Sequence, residues 1–320
     1  MNKHDLVAEL SSALSLSPSE LLLLAARAPH SYKIYTIDKK TGGKRTIAQP
    51  ARQTKYIQNL LIEKVLKNLP VHECAAAYQP GSSIKKNAIK HKDNAYLAKF
   101  DLIDFFGSIT NKDLTSHFNN YLLDKIDSKF FNLIARFCCI TYKGQQGYVL
   151  SIGAPTSPLL SNSVMYEFDV LMHNWCHERN ITYTRYADDL TFSSNSKDVS
   201  FVIEEKIVEL LNTLKYPKLQ LNRKKTVYSS KKNQRRITGL IITNEGKISL
   251  GRERKRTISA MIHKFSLGQL SAEDLSRLQG LLGLAEDVEP IFSSRMRAKY
   301  GIKIISEIFQ HRAPPQKINR

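Results

Sequence analysis

Cysteine is scarce in this 320-residue chain, which holds only Cys74, Cys138, Cys139 and Cys176. None are spaced C-x-x-C and nothing in their placement suggests a disulfide framework. The sequence therefore predicts ordinary buried thiols of a reducing compartment. Long apolar runs are missing as well. Near the N-terminus the longest is 21–26, far too short to span a bilayer. The opening "MNKHDLVAELSSAL" is amphipathic and mixed in charge, unlike a secretion signal. A cytoplasmic chain with no membrane partner is the expectation. Acidic residues are the third shortage: 29 Asp and Glu stand against 48 Lys and Arg, a formal charge of +19. An excess of that size makes a polyanion the expected partner, and nucleic acid is the commonest one.

The excess is localised. Between Lys215 and Arg256 lie 14 basic residues and only two acidic ones, Glu245 and Glu253. A short charge run is usually a solvated face, but a block this dense, interleaved with strand-like apolar residues, fits contact with phosphates. The remainder is ordinary. Hydrophobic residues at 42% and aromatics at 9% suit a globular protein with a real core. The length allows two or three domains, or one large domain with lobes.

Residues 1–28 read as one or two short helices, with Ser17 as cap, Pro18 in first position and Glu20 close behind. "YKIYTIDKKTGGKRTIAQP" alternates on both sides of Gly42–Gly43 and reads as a hairpin, with Lys39, Lys40, Lys44 and Arg45 at and beside its tip. "ARQTKYIQNLLIEKVLKNL" is an amphipathic helix with Ile57, Leu60, Leu61, Val65 and Leu66 on one side. "AYLAKFDLIDFFGSI" is a strand handing over to a turn, and 112–140 is helical. Residues 153–176 read as a loop leading into one long helix. Residues 199–214 are helical, 219–250 are strands and turns, and the last seventy are mostly helical, with Ser271 to Asp274 fitting a capping box. Helix–strand mixing without strict βαβ alternation argues an α+β fold.

Chemistry enters at "ITYTRYADDLTFSS", residues 181–194. Alternation on either side of a polar centre predicts a hairpin with its tip at Ala187–Asp188–Asp189. Such tips usually carry a glycine, and this one has none. Two adjacent like charges cost energy unless something cationic sits against them. A second carboxylate pair, Asp101 and Asp104, lies in "KFDLIDFFGSI". If the two strands are neighbours, Asp101, Asp188 and Asp189 converge at one sheet edge. Three hard oxygen donors with open positions suit Mg²⁺, and two such ions can activate an attacking 3′-oxygen and stabilise leaving pyrophosphate. The carboxylates alone leave a metal site and a capped turn both open.

These residues also carry a resemblance. "YADD" resembles the signature hairpin of reverse transcriptases, "FDLIDFF" their first aspartate motif, and "GAPTSPLLSN" the next, which shapes the nucleotide pocket. "KRTIAQP…TKYIQNLL" is similar to the family's fingers motif, and "LQLNRKKT" and "ITGLII" to the two motifs after the active hairpin. Six motifs stand in order over residues 44–242. Within the superfamily, "NAIKH" (Asn87, Ala88, His91) and "ITG" (237–239) are similar to elements of retron enzymes, with Ile237 where those have valine.

The resemblance implies a right-hand polymerase fold: an N-terminal helical extension (1–28), fingers (29–95), palm (96–112), a helical insertion (113–152), palm with the YADD hairpin (153–243) and thumb with tail (244–320). It implies Asp101, Asp188 and Asp189 as catalytic ligands of two Mg²⁺ ions, with Mn²⁺ able to substitute. Lys225 would be the general acid toward pyrophosphate. For dNTP binding it implies Arg45 at the triphosphate, Asp104 through its backbone, Phe106 as steric gate, and Ile152, Gly153 and Ala154 as pocket floor. Lys33, Lys39 and Lys40 are further candidates for the triphosphate. Many relatives have glutamine where Ile152 stands, so this floor is more apolar. For RNA it implies Asn87, His91, Arg235, Arg236, Thr238, Gly239, Arg252, Arg254, Lys255 and Arg256. The implied partners are a structured noncoding RNA serving as primer and template, the single-stranded DNA made on it, a separate effector protein and a host RNase H. The implied product is branched RNA-linked DNA begun at an internal guanosine 2′-hydroxyl, within antiphage defence. The rivals are a noncatalytic RNA-binding scaffold and another small bacterial reverse transcriptase, intron-like or untemplated.

Overall fold

The computed structural model describes residues 6–39, 42–144, 146–197 and 199–311, with side chains at all of these except 199–201. The chain divides into two compact units. The first is Met1–Ser82 with Ala98–Tyr228, the second Ser83–Leu97 with Ser229–Arg320.

In the first unit, α1 (Leu6–Leu14) is followed by α2 (Pro18–Arg27). Ser17 and Glu20 close a reciprocal capping box at the start of α2, and Pro18 takes a first-turn position where its missing N–H costs nothing. Strands β1 (Tyr32–Asp38) and β2 (Lys44–Pro50) form the expected hairpin, closed at Asp38↔Lys44. Helix α3 (Arg52–Lys64) buries Ile57 and Leu61. After α4 (Ile84–Lys90), which belongs to the second unit, β3 (Tyr96–Asp101) enters the main sheet. Helices α5 (Asn111–Tyr121) and α6 (Phe131–Cys138) pack together. Next come α7 (Ser157–Val164), α8 (Tyr166–His177), β4 (Thr182–Tyr186), β5 (Asp189–Ser194), α9 (Val199–Thr213) and β6 (Val227–Ser230). The sheet order is β4-β5-β3-β6. An aromatic layer backs it: Tyr183 stacks on Phe192 at 4.8 Å, and Phe100 meets Phe192 edge-on at 5.7 Å. All four cysteines are buried free thiols. Burial pushes Cys138 and Cys176 up to about 12, so neither is a ready thiolate.

The single long helix expected in 153–176 is two helices that break at Met165, whose ψ is 2°. The carbonyl of Asn162 would accept from residue 166 in a continuous helix. It accepts instead from Arg185 Nη2 at 3.4 Å.

The second unit holds a small antiparallel sheet, β7 (Arg235–Ile237), β8 (Leu240–Ile242) and β9 (Ile248–Ser249). Its helices are α4 and α10 (Arg252–Ser266), α11 (Ala272–Val288), α12 (Pro290–Tyr300) and α13 (Ile302–Gln310). Ile237, Leu240, Ile258, Ile262, Leu278 and Ile308 form its core. Ser271 caps α11 by accepting from the Asp274 N–H, but the Asp274 carboxylate turns to the Ser271 hydroxyl, so the capping box is half made. Segregated helices and antiparallel strands place the fold in the expected α+β class. Among the described residues no single helix is long and apolar enough to cross a membrane.

Candidate active site

The site is assembled where β3 ends and the β4–β5 hairpin turns. Tyr186 pairs with Asp189, so the tip is the two residues Ala187 and Asp188, and Asp189 is already the first residue of β5. The three-residue tip expected from the sequence is therefore one residue too long. Ala187 takes φ 58°, the left-handed conformation that two-residue hairpins demand and that glycine usually supplies. The Leu102 N–H donates to the Asp188 carbonyl at 3.2 Å and ties this tip to the end of β3. Asp101, Asp188 and Asp189 thereby meet at one edge of the sheet.

Burial, the Asp189 charge and the Asp101 charge raise Asp188 to about 6. Asp189 is raised too, chiefly by burial and then by Asp101, with Lys99 and Lys225 opposing. The segment "LQLNRKKT" folds over Asp101. The Asn222 N–H donates to its carbonyl at 2.8 Å, and Lys225 Nζ reaches its two carboxylate oxygens at 2.9 and 3.0 Å. Lys225, read from resemblance as an acid toward pyrophosphate, is here the counter-ion of Asp101.

Among the described residues no group of three or more histidine, cysteine, aspartate or glutamate side chains is arranged as a metal site. The donor set fits a hard divalent cation nonetheless. Asp101, Asp188 and Asp189 are three hard oxygen donors near enough for Asp101 to raise both of the others, and the lysine neutralising Asp101 is a flexible side chain, 60% exposed.

The residues expected at a nucleotide pocket lie in the same unit. Ala48 N–H of β2 donates to the Ile152 carbonyl at 2.8 Å, and Ser151 Oγ donates to the Ala48 carbonyl at 3.3 Å. Gly153 sits at φ 120°, and a Cβ there would be 3.0 Å from the Ala48 oxygen and 3.1 Å from Ile47. Neither the conformation nor the space admits a side chain. Ala154 is buried beside it. Phe105 is core and Phe106 half-buried, their rings edge to face at 5.4 Å. Asp104 takes φ 43°, and its carboxylate lies where a Cβ on Gly107 would fall. Arg45 is exposed on β2 opposite Ile37. Lys33 pairs with Gln49 and Lys39 closes the hairpin turn, whereas Lys40 lies outside the described residues.

What the sequence reading missed is the brace beneath the hairpin. Arg185 is fully buried and bonds Asp169 through Nε at 2.9 Å and Nη2 at 2.5 Å. Its Nη1 donates to Asn162 Oδ1 at 3.0 Å and to the Ala187 carbonyl at 3.2 Å. Tyr183 OH donates to the same Asp169 at 2.8 Å. An arginine in the same alternating set as Ile181 and Tyr183 was the available signal.

The second unit corrects part of the RNA-contact set. Asn87, His91 and Arg235 are each only 1% exposed. Burial drives His91 down to about 3, so it is neutral. Arg235 donates to the carbonyls of Asn94 and Thr243, and so serves the fold rather than a phosphate. Lys255 is engaged by Glu289. Helix α4, which carries Asn87 and Ala88 of the NAIKH stretch, packs on β7 and β8, and Thr238 Oγ1 donates to the Ile84 carbonyl at 3.4 Å. The two retron-like motifs are thus parts of one packed module. Thr238 and Gly239 form its β7–β8 turn, both at positive φ, with half-buried Arg254 beside Gly239. Arg236, Arg252 and Arg256 remain exposed.

The chain is similar to known proteins. The family described as reverse transcriptase (RNA-dependent DNA polymerase) matches residues 37–242. Retron Ec83 reverse transcriptase of Escherichia coli is 42% identical over 289 residues, covering 90% of this chain and 92% of its own. Retron Ec73 reverse transcriptase of the same species is 35% identical over 285 residues, covering 86% and 88%. Among solved structures, apo telomerase from Candida tropicalis aligns at 14% identity with a TM-score of 0.47, over 87% of this chain and 60% of the telomerase.

Proposed function

We propose, from the premise that this chain belongs to the reverse transcriptases and among them to the retron enzymes, that it copies a structured noncoding RNA which also primes the reaction. It is an RNA-directed DNA polymerase by family. The finer reading is that synthesis starts from the 2′-hydroxyl of an internal guanosine and leaves branched RNA-linked single-stranded DNA. The observation that carries the catalytic part is the meeting of Asp101, Asp188 and Asp189 at the β3–β5 edge.

Asp101, Asp188 and Asp189 are the residues that would hold two Mg²⁺ ions. Metal ions held there would supply Lewis-acid activation of the attacking hydroxyl and charge neutralisation at the leaving pyrophosphate. The carboxylates supply the negative edge, kept tense by burial and mutual repulsion. Lys225, the exposed counter-ion of Asp101, would be free to reach phosphate once that carboxylate was otherwise neutralised. Arg45, exposed on the β1–β2 hairpin, takes the triphosphate. Phe106 lies beneath the sugar and excludes a 2′-hydroxyl by volume. Phe106→Ala is accordingly expected to cut the preference for dNTP over rNTP by about tenfold to a hundredfold, the range that pocket volume commands. Single-nucleotide extension with each substrate measures it, and an unchanged ratio removes the gate assignment.

In the wider reading, the RNA–DNA product works in the cytoplasm with a separate effector in antiphage defence, and a host RNase H trims the template. The test is expression with the upstream genomic RNA beside an Asp188→Ala, Asp189→Ala double variant. A short DNA that shifts on RNase treatment and vanishes in the variant supports self-primed synthesis. DNA made only on an annealed primer would keep the polymerase and remove the retron chemistry.

A further inference from the structure

Six non-glycine residues among those described have positive φ. Ser15 and Asn180 lie just beyond the ends of α1 and α8, where chains commonly turn left-handed. Asp104, Ala187 and Thr238 sit in the turns of motifs already discussed. Tyr78, at φ 63°, is left over. A bulky aromatic residue in this conformation is strained, and strain of this kind persists only where its surroundings enforce it.

The surroundings do enforce it. Residues 74–77 run alongside β4: the Arg185 N–H donates to the Cys74 carbonyl at 2.9 Å, and the Ala76 N–H donates to the Arg185 carbonyl at 2.7 Å. Asn162 Nδ2 then holds the Ala77 carbonyl at 2.8 Å. On the other side the Ser82 N–H and hydroxyl both donate to the Gln79 carbonyl, closing the next turn. Tyr78 is fixed between these two anchors. Its side chain is nevertheless not core, for the residue is 48% exposed. The geometry puts it beside the acid edge: Asn162, which holds the Ala77 carbonyl, also accepts from the Arg185 Nη1 that holds the Ala187 carbonyl, one residue before Asp188. Its phenol is raised by burial first and then by the Asp188 and Tyr186 charges, with Arg45 opposing. Packing does not demand a ring there, and glycine would remove the strain.

We propose that Tyr78 is a positioning residue of the polymerase reaction, its exposed ring stacking on a nucleobase of the pair being formed beside Asp188. The proposal rests on the polymerase reading. A nucleobase offers the same π face whether it belongs to the incoming dNTP or to the templating ribonucleotide, and a rigidly held tyrosine takes either without sequence preference.

The test uses the full chain on an annealed RNA template and DNA primer, comparing wild type with Tyr78→Phe, Tyr78→Leu and Tyr78→Gly. Wild-type extension tests the polymerase reading by itself, and its absence overturns both. The expected result is a KM for dNTP near wild type in Tyr78→Phe. In Tyr78→Leu and Tyr78→Gly it rises by about tenfold to a hundredfold, the worth of one base–aromatic stack, with kcat little changed. Tyr78→Gly should melt no lower than wild type, since it relieves the backbone. An abasic site at the templating position separates the sources. A KM difference that disappears there assigns the stack to the template base, and one that persists assigns it to the dNTP. An unchanged KM in both Tyr78→Leu and Tyr78→Gly overturns the proposal, as does a loss confined to kcat.

Discussion

Asp188→Asn is expected to reduce DNA synthesis by about a hundredfold to a thousandfold, the scale on which losing one group that stabilises transition-state charge registers. The same variant should be at least as stable as wild type at pH 7. The two effects share a cause. Asp188 is raised from 3.8 to about 6 because burial and the Asp189 and Asp101 charges all oppose its ionisation. A carboxyl raised on folding favours the folded state while protonated. Its penalty therefore grows as pH climbs from 3.8 through about 6 and is complete above that. The size is on the order of 2–3 kcal/mol, from the shift of about two units. Asparagine never pays it. Thermal melts in EDTA between pH 4 and pH 7.5 should show the wild-type curve falling relative to Asp188→Asn through this window. Adding Mg²⁺ or Mn²⁺ at pH 7 should raise the wild-type midpoint and leave that of the variant nearly unmoved, since only wild type keeps the third carboxylate. Parallel melting curves with no metal response would mean that the three acids are a capped turn.

The hairpin and its neighbours were legible because their signals are local. Alternation placed β4 and β5 to within a residue, Gly42–Gly43 marked the β1–β2 turn, and Ser17 with Glu20 marked the start of α2. The acid edge was legible only as a conditional, since periodicity cannot say which strands are neighbours. The β4-β5-β3-β6 order supplied that. Errors arose where long-range partners decide. At the break near Met165 the Asn162 carbonyl is taken by Arg185 from 23 positions away, a partner no helix pattern encodes. The inward placement of Arg235 and Asn87 was hidden for a similar reason. A basic residue in a basic block reads as surface, yet Arg235 finds backbone carbonyls at Asn94 and Thr243. Charge density gave the class of partner correctly by family, but could not sort exposed Arg236, Arg252 and Arg256 from residues committed to the fold.

Arg185→Met should cost about 3–5 kcal/mol of stability, because it strands Asp169 as an unpaired buried charge. Both side chains are fully buried, and the Asp169 carboxylate holds Arg185 above the ordinary arginine range although burial opposes its charge. Urea unfolding measures the loss. The double variant Arg185→Met, Asp169→Leu should regain much of it, since removing both charges also removes the cost of burying them. Recovery will be incomplete, because Tyr183 OH and Asn162 Oδ1 lose a partner each. Polymerase activity is expected to behave differently. Arg185 Nη1 also holds the carbonyl of Ala187, the residue whose left-handed backbone sets the two-residue tip and so the direction of Asp188. Methionine offers that carbonyl nothing in either variant. Stability should therefore return in the double variant while kcat stays low. If kcat instead returns along with stability, the brace serves the fold alone, and the turn keeps its shape without it.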